Sequence, residues 1–220
     1  MSDRWASFDC YGTLVDWNGG IRAELARLWP DADVDELLDR YHEIEPRVQL
    51  DGSLPYREVL TQSLRLLAET EGLDLPAGED DALARSLPSW PAFAEVPGEL
   101  EELRRRGWRL AILSNSDPDL LDASIERLGV VIDRRVTADV AGSYKPAHGH
   151  WLRFAELESV DRNRHVHVAA SAFHDLAACA ELGIPTVWIN RLGEESPHPR
   201  EAELRTLDGL ADRLDAIVSR

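Results

Sequence analysis

Lysine is almost missing from this chain. Among 24 basic residues in 220, Lys145 is the only lysine, and every other basic residue is arginine. The exception marks a position that wants a compact ammonium rather than a planar guanidinium. Positive charge as a whole is scarce, with 24 Lys and Arg against 41 Asp and Glu and a net charge of -17. Phosphate binding needs clustered Lys and Arg, so this balance argues against a nucleic-acid partner. The acidic surplus reads as a solubility feature. Cysteine is equally rare. Cys10 and Cys179 lie far apart in apolar surroundings, the pattern of free buried thiols in a reducing cytoplasm rather than of a disulfide. No apolar run is long enough to span a bilayer. The opening M-S-D-R-W lacks the apolar segment of a secretory signal. The expectation is a cytoplasmic protein with no membrane contact. Internal repeats and low-complexity tracts are absent as well.

What is present is ordinary in bulk and specific in detail. Hydrophobic residues at 44% and charged residues at 30% are those of a globular protein. A chain this long fits one large domain or one domain with an insert, and buries about 70% of its unfolded surface. The apolar run Trp5 to Phe8 leads into Asp9, Gly12 breaks the pattern, and Thr13 follows. A buried parallel strand that delivers one acid to its C-terminal tip has this form, and ligands in open α/β sheets bind at those tips. Asp9 is therefore the first candidate for a reacting group, against the blander reading of an Asp that caps a turn.

Residues 17–91 read as an all-helical insert. Ile21, Leu25 and Leu28 recur at helical spacing before Pro30. Val34, Leu37, Leu38 and Tyr41 form a second amphipathic stretch, Tyr56 to Leu67 a third, and Leu83 with Leu87 a fourth ahead of Pro88. From Ala92 strands and helices alternate. Helices are expected over Glu99–Arg106, from Asp117-Pro118 to Gly129, over Ala147–Leu157, over Ala172–Leu182, and as one terminal helix over Glu201–Val218. Strands are expected over Trp108–Leu113, Val136–Val140, His165–Ala170 and Thr186–Asn190, with a polar loop at Gly193–Pro199. Alternation of this kind implies a doubly wound parallel sheet covered on both faces. The expected organisation is an α/β core of 1–16 and 92–220 with a helical domain of 17–91 inserted after the first strand.

In such a sheet all strand tips share one edge, so Asp9 with Thr13, Ser114 with Asn115, and Ser171 with Asp175 can converge, joined by Lys145 from the loop after a fourth strand. A carboxylate nucleophile must stay ionised, and a nearby ammonium favours that form. Hydroxyl and amide donors hold an anionic substrate and developing charge. The order Asp9-x-Tyr11-Gly12-Thr13, Ser114-Asn115, Lys145-Pro146, Asp175 resembles the haloacid dehalogenase superfamily. F-D-C-Y-G-T-L-V-D, S-Y-K-P and G-I-P-T-V-W-I-N-R are most similar to its L-2-haloacid dehalogenase branch.

The resemblance implies a Rossmannoid core with a cap, and a hydrolase in which Asp9 displaces halide from a short 2-haloacid and forms an ester that water then cleaves. It implies that Thr13, Ser114, Asn115, Lys145 and Asp175 serve catalysis, and that Tyr11, Ser116, Ser171 and His174 line the substrate site. A cap arginine, for which Arg40 is the candidate, would receive the halide. The substrate is then small and anionic, no cofactor or metal is required, and a homodimer is one assembly the branch allows. An alternative is a phosphate-ester hydrolase that uses Asp9 with Mg²⁺ held by Asp9 and Asp175. Phosphatases of the superfamily carry a second Asp two residues after the nucleophile, where Tyr11 stands, and a metal-binding Asp where Ala170 stands. A third alternative is a binding module without catalysis, because Ala170 and Ala172 replace the Ser and Asn that flank the hydrolytic water in dehalogenases.

Other polar residues have plainer expectations. His148 and His150, two residues apart, do not face one metal on a helix and are expected in solvent. His165 and His167 share one strand face as a partly buried surface pair. Ser171 either serves the site or satisfies local backbone. His174, beside Asp175, is a candidate pocket residue whose titration would matter. Glu45 and Gln49 either face the site or cap a helix end, and Trp108 and Trp188 are core.

Overall fold

The computed structural model describes residues 3–50 and 54–219. In chain order the elements are β1 (Arg4–Phe8), α1 (Trp17–Leu28), α2 (Val34–Gln49), α3 (Tyr56–Glu71), α4 (Ala82–Ser86), α5 (Val96–Arg105), β2 (Trp108–Ser114), α6 (Pro118–Leu128), β3 (Arg134–Thr137), α7 (Ala138–Ala141), α8 (Gly149–Glu158), β4 (His165–Ala169), α9 (Ala177–Leu182), β5 (Thr186–Ile189), β6 (Ala202–Leu204) and α10 (Leu210–Ile217). The strands form one parallel sheet in the order β3-β2-β1-β4-β5-β6. β1 is central, and all five of its residues are buried, as expected of a strand covered on both faces. Its first residue is an arginine. Arg4 escapes the cost of burial because its guanidinium donates to Asp215 Oδ1 at 2.6 Å and to the carbonyls of Arg106 and Val218.

Two compact units result. One comprises 1–15, 92–115 and 125–220, and the other 16–91 and 116–124. In the first unit, Trp5, Leu113, Val136, Trp151 and Phe154 pack in one core cluster, with Trp5 and Phe154 edge to face at 5.1 Å. In the second, Asp117 explains why a segment from beyond β2 joins the helices. Its two carboxylate oxygens accept the N–H groups of Tyr56 and Arg57 at 2.9 and 3.0 Å. That caps α3, whose own N-terminal Pro55 offers no side-chain cap. Among the described residues, no helix is long and apolar enough to cross a membrane.

Three expected elements differ. The strand expected over Val136–Val140 ends at Thr137, because the Thr137 hydroxyl turns onto the Asp139 carboxylate and starts α7. The single terminal helix over Glu201–Val218 is instead an edge strand and a short helix. Ala202–Leu204 pairs with β5, and Gly209, at φ 76°, sits in the left-handed region before α10, a conformation no helix interior accepts. The helix expected from Ala172 opens as a wide π turn over Ala172–Leu176 before α9 begins. Such turns recur where a side chain must be re-aimed, and this one carries Asp175.

Candidate active site

Asp9 is the first residue past β1. Its N–H still donates to Val168 of β4 at 3.0 Å, so the sheet fixes its backbone. Beyond it the chain turns sharply. Gly12 sits at φ 84°, a conformation that costs a residue with a Cβ, and Leu14 and Val15 both donate to the Cys10 carbonyl. The turn brings Thr13 back over Asp9, where its hydroxyl donates to Asp9 Oδ2 at 2.8 Å. Thr13 Oγ1 in turn accepts the Ala170 N–H at 2.9 Å. The Trp188 indole holds the Ala170 carbonyl at 2.8 Å. Arg191 donates to the Thr13 carbonyl at 2.8 Å and pairs with Glu95. One carboxylate oxygen is thus held through three strands.

The other oxygen faces Lys145, whose Nζ lies 3.1 Å from Asp9 Oδ1 and 2.7 Å from Asp175 Oδ1. Burial works against this ammonium. Asp175 and Asp9 outweigh that and hold its pKa above the ordinary lysine value. Burial also works against the Asp175 carboxyl, yet Lys145 and His167 hold it well below the usual carboxylate range. The two acids differ in access: the Asp9 side chain is 14% exposed and that of Asp175 is 0% exposed. Only Asp9 is open to an incoming reactant.

Asn115 acts on the backbone of Lys145. Its Oδ1 accepts the Lys145 N–H at 2.7 Å and its Nδ2 donates to the Lys145 carbonyl at 3.3 Å. This two-point clamp ties the loop to the end of β2. Ser114 is buried in the same strand end, and its carbonyl accepts from His150 Nε2 at 3.0 Å. The Trp151 ring lies 5.7 Å from Lys145 Nζ and edge to face with His167.

The structure therefore brings Asp9, Thr13, Asn115, Lys145 and Asp175 into one hydrogen-bonded cluster. Tyr11 is half-buried in the turn after Asp9, bridging to Val15. Ser171 does the local work: its Oγ accepts the His174 N–H at 3.0 Å and lies 3.0 Å from His174 Nδ1. His174 is half-buried beside it, and burial lowers its pKa. Ser116 is buried in the helical unit. Arg40 lies on an exposed face of α2, its guanidinium against Glu43 and Glu71, which makes it a surface cation of that unit.

Three histidines correct the sequence expectation. His150, expected in solvent, is fully buried, while His148 is the exposed one and pairs with Glu181. His165 and His167, expected as a surface pair, are both buried. They flank Ser7 Oγ at 2.7 Å each, and His167 Nε2 reaches Asp175 Oδ1 at 3.0 Å. Sequence reasoning missed the contacts of Ser7 and His167 behind Asp175. The signal was there: a serine and two alternating histidines sit in central strands that are apolar apart from Arg4, and register sets Ser7 opposite His167.

Comparison with known proteins agrees with this geometry. The family model of haloacid dehalogenase-like hydrolases matches residues 4–183. The (S)-2-haloacid dehalogenase of Pseudomonas sp. strain YL is 27% identical over 234 residues, 97% of this chain and 95% of that protein. The ribulose-1,5-bisphosphate 5-phosphatase of Halopiger xanaduensis is 31% identical over 161 residues, 67% of this chain and 66% of that one. The crystal structure of the L-2-haloacid dehalogenase RSc1362 superposes with a TM-score of 0.86 at 24% identity, over 98% of this chain and 100% of that one.

Proposed function

The chain belongs to the haloacid dehalogenase-like hydrolases, and from that membership we propose that it removes halide from a short 2-haloacid through an ester on Asp9. The observation that carries this reading is the asymmetry of the two acids. Asp9 is the more accessible, with Thr13 on one oxygen and Lys145 on the other, while Asp175 lies buried against the lysine and His167. Full-length similarity to an (S)-2-haloacid dehalogenase supports the carbon–halogen bond as the target.

An Asp9 oxygen attacks the halogen-bearing carbon. A C–O bond forms, the C–halogen bond breaks, and its electron pair leaves on the halide with inversion at carbon. Halide needs no proton, so Tyr11 can stand where a second acid would protonate a poorer leaving group. Water then attacks the Asp9 carbonyl carbon, and Asp175 Oδ2, buried with no hydrogen-bond partner, takes one water proton. The ester C–O bond breaks, and the departing alkoxide of the 2-hydroxyacid takes that proton back. The second water proton passes to solvent, and the Asp9 carboxylate is restored. Lys145 steadies the ionised carboxylate before attack and the oxyanion afterwards, and Asn115 keeps the lysine in place. Tyr11, Ser114, Ser116 and His174 are the proposed substrate-lining residues.

The phosphatase reading fits the donor set less well. Mg²⁺ wants several hard oxygen ligands. Here Ala170 occupies the position of one, and Asp175 Oδ1 is already taken by Lys145 and His167. Among the described residues no three His, Cys, Asp or Glu side chains are grouped to hold a metal ion.

Turnover of 2-chloropropionate, followed by free halide, tests the proposal. In H₂¹⁸O a single turnover places the label in Asp9, and Asp9→Asn abolishes halide release. Folded protein that releases no halide from a panel of haloacids, yet cleaves p-nitrophenyl phosphate until EDTA is added, would sink it.

A further inference from the structure

Ester cleavage needs a water molecule aimed at Asp9, and the loop beside it offers little to aim one. Residues 170 and 172 are alanines, and the Ser171 hydroxyl is engaged with His174. Orientation of the water therefore falls to Asp175. Behind Asp175 runs a chain of three side chains: His167 Nε2 to Asp175 Oδ1 at 3.0 Å, Ser7 Oγ to His167 Nδ1 at 2.7 Å, and Ser7 Oγ to His165 Nε2 at 2.7 Å. Asp175, His167 and Ser7 are each 0% exposed and His165 is 4% exposed, so solvent does not compete for these bonds. Three polar side chains in the middle of an apolar sheet are costly unless every one is satisfied.

The proton positions follow from chemistry. An ionised carboxylate only accepts, so His167 donates through Nε2–H. A neutral ring that donates at Nε2 accepts at Nδ1, so Ser7 donates its O–H there. The serine oxygen then accepts from His165 Nε2–H. Every donor points toward Asp175, and both rings are the same tautomer. Reversing any one bond leaves two donors or two acceptors face to face.

We propose that His165, Ser7 and His167 are positioning residues: a one-way donor chain that locks Asp175 through Oδ1 and leaves Oδ2 free to take the proton of the ester-cleaving water. This rests on the dehalogenase reading for its effect on rate, while the proton arrangement stands apart from any substrate. The chain acts on the second half-reaction alone, since attack by Asp9 on carbon does not use Asp175 as a base. In the wild type, ¹⁵N-histidine NMR at neutral pH shows Nε2–H on both rings, and Ser7→Ala shifts the His167 Nδ1 signal toward that of a free acceptor. After rapid mixing with 2-chloropropionate, Ser7→Ala and His167→Leu release a burst of halide at close to the wild-type rate. They then cleave the ester about tenfold more slowly, the scale of one lost hydrogen bond, and the covalent adduct accumulates in intact-protein mass spectra. Ser7→Ala removes one oxygen atom and serves where His167→Leu folds poorly. Nδ1–H on His167, or equal slowing of both half-reactions, overturns the chain. Absence of halide release from the wild type with both Nε2–H tautomers in place overturns the dehalogenase reading instead and leaves the donor chain standing.

Discussion

Among the described residues two acids are buried, one in each unit, and they are handled in opposite ways. Asp175 of the α/β unit meets an ammonium at 2.7 Å and a ring N–H at 3.0 Å, and its pKa falls despite burial. Glu45 of the helical unit sits on α2, 5% exposed, with the Gln49 amide at a long 3.4 Å. Burial alone pushes its carboxyl up to about 7. A carboxylate taken from water stays ionised only where an opposite charge is in contact. Elsewhere it keeps its proton until near neutral pH. The first arrangement keeps a buried acid ionised at rest. The second stores a pH-dependent penalty.

The largest break in this contrast comes from stripping Asp175 of its partner. Lys145→Met leaves Asp175 buried beside Asp9 without its cation, and urea unfolding registers a loss of about 3–5 kcal/mol together with loss of halide release. Acid is the next lever. His150 and His165 are pushed by burial to about 3, and His167 is lowered too. Their unfolded counterparts take up protons near pH 6.5, so folded stability is complete above that pH and drains away as pH falls toward 3. By pH 5 each of the first two costs about 2 kcal/mol, read as a falling urea midpoint between pH 7 and pH 5.

Glu45 has the reverse sign. Its folded pKa lies above its unfolded value of 4.5, so its penalty grows as pH rises from 4.5 to about 7. Glu45→Gln therefore raises stability by up to about 3 kcal/mol at pH 8 and changes nothing at pH 4. Equal effects at both pH values would show that the Glu45 pKa is not raised by folding, and a loss of stability at pH 8 would reveal a cation partner. The smallest effect belongs to Arg40, whose side chain is 48% exposed against two glutamates. Arg40→Ala changes the unfolding free energy, read from urea titration, by less than about 0.5 kcal/mol.

The sequence made the acid-bearing end of the sheet legible because its polar residue types stand out at the ends of apolar runs. An acid after an apolar run, a serine-asparagine pair after another, and one lysine in an arginine-rich chain all mark strand tips. Asp9, Thr13, Asn115, Lys145 and Asp175 meet as that pattern implied. What lay deeper was harder to read. His165 and His167 alternate as a surface strand would, and only the pairing of β4 with buried β1 turns that face inward. His150 follows a loop histidine and looked equally exposed, yet helix α8 turns it beneath Ser114. The terminal segment kept a helical spacing of apolar residues that Gly209 overrode. For the histidines the deciding fact was a long-range neighbour and for the terminal segment a backbone angle, rather than the spacing of apolar residues.

The isolation of Lys145 has a practical consequence. Feeding the expressing cells lysine enriched in ¹⁵N at the side chain would light up one amine in the whole chain, and that amine sits between the two acids. A one-line spectrum would report on that ammonium alone, with no assignment needed and no background from the surface.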